Sequence, residues 1–298
     1  MTGTVIFEGC CQVRGGPQVA PERGVTPSTN RFRLNARLAR HIAAAARDPY
    51  RPLMAHVVVS RRCNLSCGYC TEYDDKSPPV PTEVLEQRFE QLARLGTAIV
   101  TLTGGEALLH PDITELVQRV GELGMVAALN TNAFLLTRRH VQELNDAGLY
   151  AMQISIDAKR GNDVTRKALK PLLPKLKLLA EDAHFRVRVN TVLGPGAPRE
   201  ALDVARAVMD FGFDAKCTFV RDEHGKLAPL SEEARRTYEQ IRALGRRSPG
   251  YLSEDFQLGL MDEGHVDWKC RSGSLMILSC QSSPACMNCS GQATGRLT

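Results

Sequence analysis

The sequence predicts an α/β fold built on a parallel sheet, and three observations predict it. From residue 56 onward, short apolar runs alternate with stretches of helical periodicity, the pattern of repeated strand–helix units. The chain has 298 residues, 43% of them hydrophobic, enough for one barrel-sized core and an appendage. The polar residues that stand out fall at the carboxyl ends of the expected strands, where barrels of such units place their chemistry.

Taken in order, residues 1–30 are rich in Gly and Pro (GGPQVAPERGVTP) and are expected to be irregular. A helix follows over 31–47, with Leu34, Leu38, Ile42 and Ala45 on one face, an Arg-rich opposite face and Ser28, Thr29 or Asn30 as cap. This helix is expected to cover one end of the barrel; a docking surface for an electron donor is the alternative. Strands are expected over 56–60, 99–103, 126–130, 151–155, 186–192 and 215–220. Helices are expected over 82–95, 113–123, 137–147, 164–180, 199–211 and 231–244, the fourth interrupted by Pro171 and Pro174.

Composition narrows the partners. A net charge of +5 is mild for this length, and no dense basic block interleaved with aromatics marks a nucleic-acid footprint. No stretch approaches the roughly 18 apolar residues needed to cross a bilayer, and the first residues lack the pattern of a secretion signal, so neither membrane nor nucleic acid is expected as a partner. A cytoplasmic location is expected. Ten cysteines, several at ligand-like spacing, then point to metal rather than to disulfides.

The most informative segment is CNLSCGYC, which places Cys63, Cys67 and Cys70 directly after the first strand. Thiolates hold 4Fe-4S clusters, usually four at a time, so a compact hook of three suggests one iron left open for a small molecule. Zinc is the alternative, although it favours four ligands and no fourth Cys or His lies near the hook. The spacing C-x3-C-x-aromatic-C, with Tyr69 as the aromatic residue, resembles that of the radical S-adenosylmethionine (SAM) enzymes. Gly104, Gly105 and Glu106, after the second strand, resemble the family's GGE segment. The resemblance covers roughly residues 54 to 222 and implies a partial (β/α)6 TIM-like barrel over residues 51–245, preceded by residues 1–50.

By resemblance, the cofactors are SAM and a 4Fe-4S cluster, and the reaction begins with reductive cleavage of SAM to a 5'-deoxyadenosyl radical. Glu106 and the backbone of Gly104 and Gly105, whose lack of a side chain suits close approach to a ligand, would hold the methionine amine. Ser155 matches the family's ribose or carboxylate contact, Arg166 or Lys167 would pair with the SAM carboxylate, and Tyr69 would pack beside the adenine. Asn190 is a nucleoside contact or a strand cap. Thr103, Asn132 and Asp157 complete the cofactor-binding candidates on the rim.

Residues 246–298 hold Cys270, Cys280, Cys286 and Cys289 as C-x9-C-x5-C-x2-C. The segment resembles a shortened twitch or SPASM extension, with CRSGSLMIL as its opening hairpin, and implies a second, auxiliary 4Fe-4S cluster; structural zinc is the alternative. It lacks the seven or more cysteines of a full SPASM domain.

Catalytic residues beyond the cofactor site are candidates only: Cys217 as hydrogen-atom donor, for which a buried structural cysteine is the simpler alternative, and Glu72, Asp75 and Glu223 as rim groups. Together with Asp74, Arg221, Asp222 and His224 they would suit a sugar, aminocyclitol or nucleoside, as in secondary-metabolite biosynthesis, reached by dehydrogenation, epimerisation or sulfur insertion. The alternatives are a SPASM-type peptide maturase, for which the N-terminal fifty residues look too short and too Gly/Pro-rich to form a leader-binding module, and a non-catalytic iron-sulfur carrier. A flavodoxin- or ferredoxin-type electron donor is expected.

Overall fold

The valines of β1 (Met54–Ser60) show how the sheet is built: Val57 and Val59 are stiff at χ1, favour the extended backbone and are wholly buried. In the computed structural model the described residues are 29–45, 47, 51–70, 74–194, 197–220, 230–245 and 275–278. Strands β1, β2 (Ile99–Gly104), β3 (Val126–Thr131), β4 (Ala151–Ser155), β5 (Arg186–Leu193) and β6 (Asp214–Phe219) match the six expected runs to within two residues at each end. Helices α2 (Thr82–Arg94), α3 (Ile113–Glu122), α4 (Arg138–Asp146), α5 (Leu169–Asp182) and α6 (Pro198–Met209) connect them, and α7 (Glu232–Gly245) follows.

All pairings are parallel, in the order β6-β5-β4-β3-β2-β1-β7. The seventh strand, β7 (Leu275–Leu278), runs along β1 from Met54↔Leu275 to Val57↔Leu278. These four residues fall in the stretch assigned to the C-terminal extension, within its expected opening hairpin, yet they lengthen the barrel sheet. Strands β6 and β7 stand at the two edges, so among the described residues the sheet does not close into a full barrel.

Period-two alternation separates the two faces of this sheet. Ala55, Val57, Val59, Val100, Leu102, Ala127, Leu129, Met152, Ile154, Val187, Val189, Ala215 and Phe219 join one core with helix residues such as Leu85, Phe89 and Leu92 of α2, spaced at four and three. The opposite face carries some apolar residues, such as Met54, Val58 and Ala128, but is mainly polar and half-buried: His56, Thr103, Asn130, Gln153, Ser155, Arg188, Lys216 and Thr218. Parallel sheets ordinarily bury apolar side chains on both faces, so this polar face requires a solvent-filled or ligand-filled interior. Burying Phe89 completely contributes packing that no neighbour replaces. Phe89→Ala is expected to destabilise the protein by about 3–5 kcal/mol, read as a lower midpoint in denaturant.

Two helices differ from expectation. The fourth connecting helix starts at Leu169 rather than at 164, and Pro171 falls in its first turn, where backbone N–H groups have no intrahelical partner to lose. Pro174 lies deeper and forgoes one helical bond, which the buried Leu169, Leu172, Leu176 and Leu179 offset. Helix α1 (Thr29–Ala45) does cover one end of the barrel, the end remote from the strands' carboxyl termini, but by polar contacts. Arg37 Nη1 donates to Gly121 O and Met125 O at 3.0 and 3.1 Å, and His41 Nε2 to Gly124 O at 3.2 Å. Its expected apolar face is only partly used, since Ile42 is 50% exposed.

Candidate active site

Leaving β1, the chain turns into the cysteine hook, fixed at both ends by backbone bonds. Cys63 N donates to Asp74 O and Asp74 N to Arg61 O, each at 3.0 Å, while Gly68 N donates to Val164 O at 2.9 Å. Cys67 is buried, and Cys63 and Cys70 are half-buried. Two sulfurs accept backbone donors: Leu65 N–H to Cys63 Sγ at 3.4 Å and Arg166 N–H to Cys67 Sγ at 3.3 Å. Burial pushes the Cys63 thiol up, and the Leu65 N–H and the charge of Lys167 oppose that shift. Donors aimed at sulfur suit thiolates that carry metal. Among the described residues no three His, Cys, Asp or Glu side chains gather as ligands of a single ion; thiolates that each hold a different iron of a cluster need not.

Gly104 and Gly105 are required by the neighbouring strand. A Cβ on Gly104, whose φ is +148°, would lie 2.0 Å from Ser60 O, and one on Gly105 would lie 2.4 Å from Arg61 O. Both contacts are with backbone leading into the hook, so the close approach these glycines permit is to the exit of β1, a reason different from the ligand approach expected from sequence. Glu106 N then donates to Arg62 O at 2.9 Å. Its carboxylate is 1% exposed: Oε1 accepts from Leu108 N at 3.0 Å and Thr131 Oγ1 at 2.5 Å, and Oε2 from Asn132 N at 2.7 Å. Burial pushes this carboxyl up, against the pull of those three donors and of Lys167. Three of about four lone-pair sites are thus filled by protein, and Glu106 ties β2 to β3 besides facing the hook.

The turn after β3 brings Asn132 against the same hook. Asn132 Nδ2 donates to Asn64 Oδ1 at 2.8 Å and lies 3.8 Å from Cys63 Sγ. Ala133, in the left-handed region at φ 61°, makes the sharp bend that lets Thr131 and Asn132 both reach Glu106.

At the end of β4 a connected polar group forms. Tyr69 donates its hydroxyl to Asp157 Oδ2 at 2.6 Å, Thr165 Oγ1 donates to the same oxygen at 2.8 Å, and Lys167 Nζ donates to the Tyr69 oxygen at 2.8 Å. Burial and the adjacent Asp157 push the Tyr69 phenol far up, which keeps it protonated. Thr165 Oγ1 also lies 3.9 Å from Cys67 Sγ. Thr165, wholly buried, escaped the sequence reading. Residues 164–168 looked like helix, whereas they form a loop in which Asn162 Oδ1 accepts from Val164 N and Thr165 N. The Gly161–Asn162–Asp163 turn signal could have revealed it.

The other candidates separate clearly. Ser155, Asn190 and Lys216 are register partners across β4, β5 and β6, and Asn190 Nδ2 donates to Thr218 Oγ1 at 3.1 Å. Asp157 Oδ1 and Asn190 Oδ1 are buried with no hydrogen-bond partner among the described residues, which fits a site that receives a polar ligand. Thr103 lies on the polar face at the end of β2. Arg166 is exposed, and its backbone N–H is the part that reaches the hook.

Of the two readings of Cys217, the structure supports the buried structural cysteine and corrects the hydrogen-atom donor: alternation along β6 places it with Ala215 and Phe219 in the apolar core under the helices, and Thr218 faces the interior instead. Asp75 is exposed. Asp74 serves the local turn, held down at about 2 by hydrogen bonds from Ser77. Glu72, Glu223, Arg221, Asp222, His224 and the four C-terminal cysteines Cys270, Cys280, Cys286 and Cys289 lie outside the described residues.

An open parallel barrel with three thiols on its first rim loop, and glycines and a buried acid on its second, defines a class of iron-sulfur enzyme. The Radical SAM superfamily profile matches residues 57–220, and the chain belongs to that superfamily. Membership implies a 4Fe-4S cluster and SAM as cofactors, and the hook's three thiols with their N–H donors fit such a cluster. The chain is 32% identical over 176 residues to a GTP 3',8-cyclase from Aquifex aeolicus (strain VF5), covering 54% of this chain and 55% of that protein. It is 36% identical over 107 residues to a PqqA peptide cyclase from Bradyrhizobium diazoefficiens, covering 35% and 28% respectively. The chain thus spans about half, or less, of the length of these curated relatives. In fold it is similar to the crystal structure of Streptococcus suis SuiB bound to S-adenosylmethionine, with TM-score 0.61 and 18% identity, covering 84% of this chain and 63% of that one. No helix among the described residues is long and apolar enough to cross a membrane.

Proposed function

We propose that this radical SAM enzyme abstracts a hydrogen atom from a small polar metabolite, a sugar, aminocyclitol or nucleoside, bound against the inner face of the sheet. The observation that carries this reading is the polarity of that face. Asn130, Gln153 and Arg188 form one register row across β3 to β5, and Ser155, Asn190 and Lys216 form a second row nearer the hook. Such rows offer donors and acceptors to hydroxyl and amide groups without requiring a large apolar contact. The likeness to the GTP 3',8-cyclase, by name a nucleotide enzyme, supports a polar substrate.

When bound, the cluster and SAM supply one-electron cleavage of the sulfonium and hence a carbon radical. The protein's residues do the rest. Cys63, Cys67 and Cys70 would hold the cluster, and Leu65 N–H and Arg166 N–H, which donate to the Cys63 and Cys67 sulfurs, would steady two of these thiolates. Glu106 fixes the β2 loop beside the hook through Leu108, Thr131 and Asn132, and would offer its remaining acceptor site to the methionine amine. Ser155, Asp157 and Asn190 orient the nucleoside. The glycine crossing and the buried threonines exclude water from behind the hook. A peptide substrate is a second reading, favoured by the 36% identity to the PqqA peptide cyclase.

We further infer an auxiliary 4Fe-4S cluster of twitch or SPASM type at Cys270, Cys280, Cys286 and Cys289, supported by their spacing. About eight irons per chain would support it, and about four with one zinc would replace it by structural zinc. An iron-sulfur electron donor or a flavodoxin would supply the reductant. The test incubates anaerobically reconstituted protein with SAM, dithionite and deuterated candidate metabolites or peptides. Deuterium in 5'-deoxyadenosine with a sugar or nucleoside supports the proposal. Transfer only from peptides establishes the second reading, and no 5'-deoxyadenosine with any substrate leaves an electron carrier.

A further inference from the structure

We propose that the substrate carries an acidic oxyanion, a carboxylate or a phosphate, and that Arg188 of β5 and Lys216 of β6 receive it. The inference deepens the reading that a polar metabolite binds the inner face of the sheet, and it rests on that reading. What carries it is the distribution of charge over this face.

Strands β1 to β4 contain no Asp, Glu, Lys or Arg at all. The charge is confined to β5 and β6, and alternation aims it inward. Val187 and Val189 of β5 enter the core beneath the helices, so Arg186, Arg188 and Asn190 take the opposite parity. Ala215, Cys217 and Phe219 of β6 enter the same core, which turns Asp214, Lys216 and Thr218 the other way. Register pairs Arg188 with Asp214 and Asn190 with Lys216, so the two half-buried cations lie diagonally across neighbouring strands.

Asp214 is the one carboxylate within these strands, with Oδ2 4.0 Å from Arg188 Nη2. It can balance one cation, whereas Arg188 and Lys216 are two, and Arg186, exposed at the start of β5, is a third. Enclosed cations persist where a counter-charge meets them, and the excess here calls for an anion that a ligand supplies. Arginine and lysine offer donors only, and the guanidinium fork matches the paired oxygens of a carboxylate or phosphate.

An independent observation marks this part of the face as open to a ligand. Asn190 is 8% exposed and stands beside both cations, two residues beyond Arg188 and opposite Lys216. Its Nδ2 is committed to Thr218 Oγ1 at 3.1 Å, while its Oδ1 is buried with no hydrogen-bond partner among the described residues. Such an acceptor takes a donor from a bound polar molecule. A hydroxylated acid meets both demands, with a hydroxyl toward Asn190 and its oxyanion toward the cations. An aminocyclitol, with its ammonium groups, meets the cations badly.

Calorimetry on the reconstituted, SAM-loaded full chain tests this with glucose, glucosamine, glucuronate and glucose 6-phosphate, and with uridine and uridine monophosphate. An acidic member of either set is expected to bind at least about tenfold more tightly than its neutral parent, the worth of one charge-assisted hydrogen bond. Glucuronate against the phosphates shows which oxyanion is preferred. Arg188→Gln and Lys216→Gln should each remove most of the preference, and the double variant should bring the acid down to the parent's affinity. Asp214→Asn, which removes the competing carboxylate, should bind the acid at least as tightly as wild type. Where a glutamine variant does not fold, the wild type decides: added salt should weaken the acid and spare the parent, and a salt-insensitive preference counts against the assignment. The inference is overturned if no acidic member exceeds its parent, if the preference survives in the double variant, or if glucosamine binds best and loses its advantage in Asp214→Asn. A different result, in which sugars and nucleosides neither bind nor donate deuterium while peptides do, overturns the metabolite reading itself and the inference with it.

Discussion

Cys67→Ala is expected to leave the anaerobically reconstituted protein depleted of hook-bound iron and its SAM cleavage at background. The hook supplies three thiolates, and among the described residues no fourth cysteine lies near it: Cys217, the one other described cysteine, is sealed in the core. Cys67 is also the sulfur most bound up with the rest of the rim, through Arg166 N–H at 3.3 Å and the neighbouring Thr165. Its loss removes a ligand and empties a buried site between the hook and the β4 loop. The matching control is Cys217→Ala. It deletes a buried sulfur on the core face of β6, one that also donates to Thr218 O at 3.7 Å, so cleavage should stay within about twofold of wild type while stability falls by roughly 1 kcal/mol. Iron per chain, absorbance near the cluster bands and 5'-deoxyadenosine formed with dithionite are the measurements. Retention of iron and cleavage in Cys67→Ala would remove the hook from the chemistry.

That control rests on alternation that was already present in the chain. In the run Ala215-Lys216-Cys217-Thr218-Phe219, the apolar members occupy one parity and the polar members the other, so Cys217 belongs with the core by the ordinary rule for strands. The strands themselves were legible because short apolar runs bounded by turns permit few other structures, and the hook was legible because its three thiols are adjacent in sequence.

The pairings among the buried residues of the site were not legible, for a physical reason. Glu106 meets Thr131 and Asn132 from the next strand, and Tyr69 meets Asp157 and Lys167 from nearly a hundred residues away. Such contacts depend on strand register, which leaves no local signature, and on the path of the loop 158–168, of which the Gly161–Asn162–Asp163 signal marks only the turn. The means by which α1 docks was also not legible: its leucines and isoleucine share one face, while Arg37 and His41 make the attachment by binding carbonyls at the end of α3 and in the turn leading into β3.

The GG pair connects local sequence to those long-range contacts, and Gly104→Ala tests it. At φ +148° an L side chain is strained by itself, and the added Cβ would stand 2.0 Å from Ser60 O and 3.1 Å from Ser60 C. These are backbone atoms of a wholly buried residue, so relief requires moving either the end of β1 or the loop after β2. Moving β1's end displaces the hook; moving the loop pulls Glu106 from Thr131, Asn132 and Leu108 and leaves a buried carboxylate short of donors. Either way the cost is expected to be at least about 3 kcal/mol, which lowers the melting temperature by roughly 6–12 °C in a domain of this size. Gly124→Ala is the comparison. It shares a positive φ, +86°, but its Cβ would meet nothing within 4 Å, so only backbone strain of about 1–2 kcal/mol applies. SAM affinity distinguishes the two variants more sharply than stability does. Gly104→Ala should lose SAM binding even at temperatures where it remains folded, because the hook and Glu106 can no longer be in register, whereas Gly124→Ala, at the far end of the barrel, should bind as wild type.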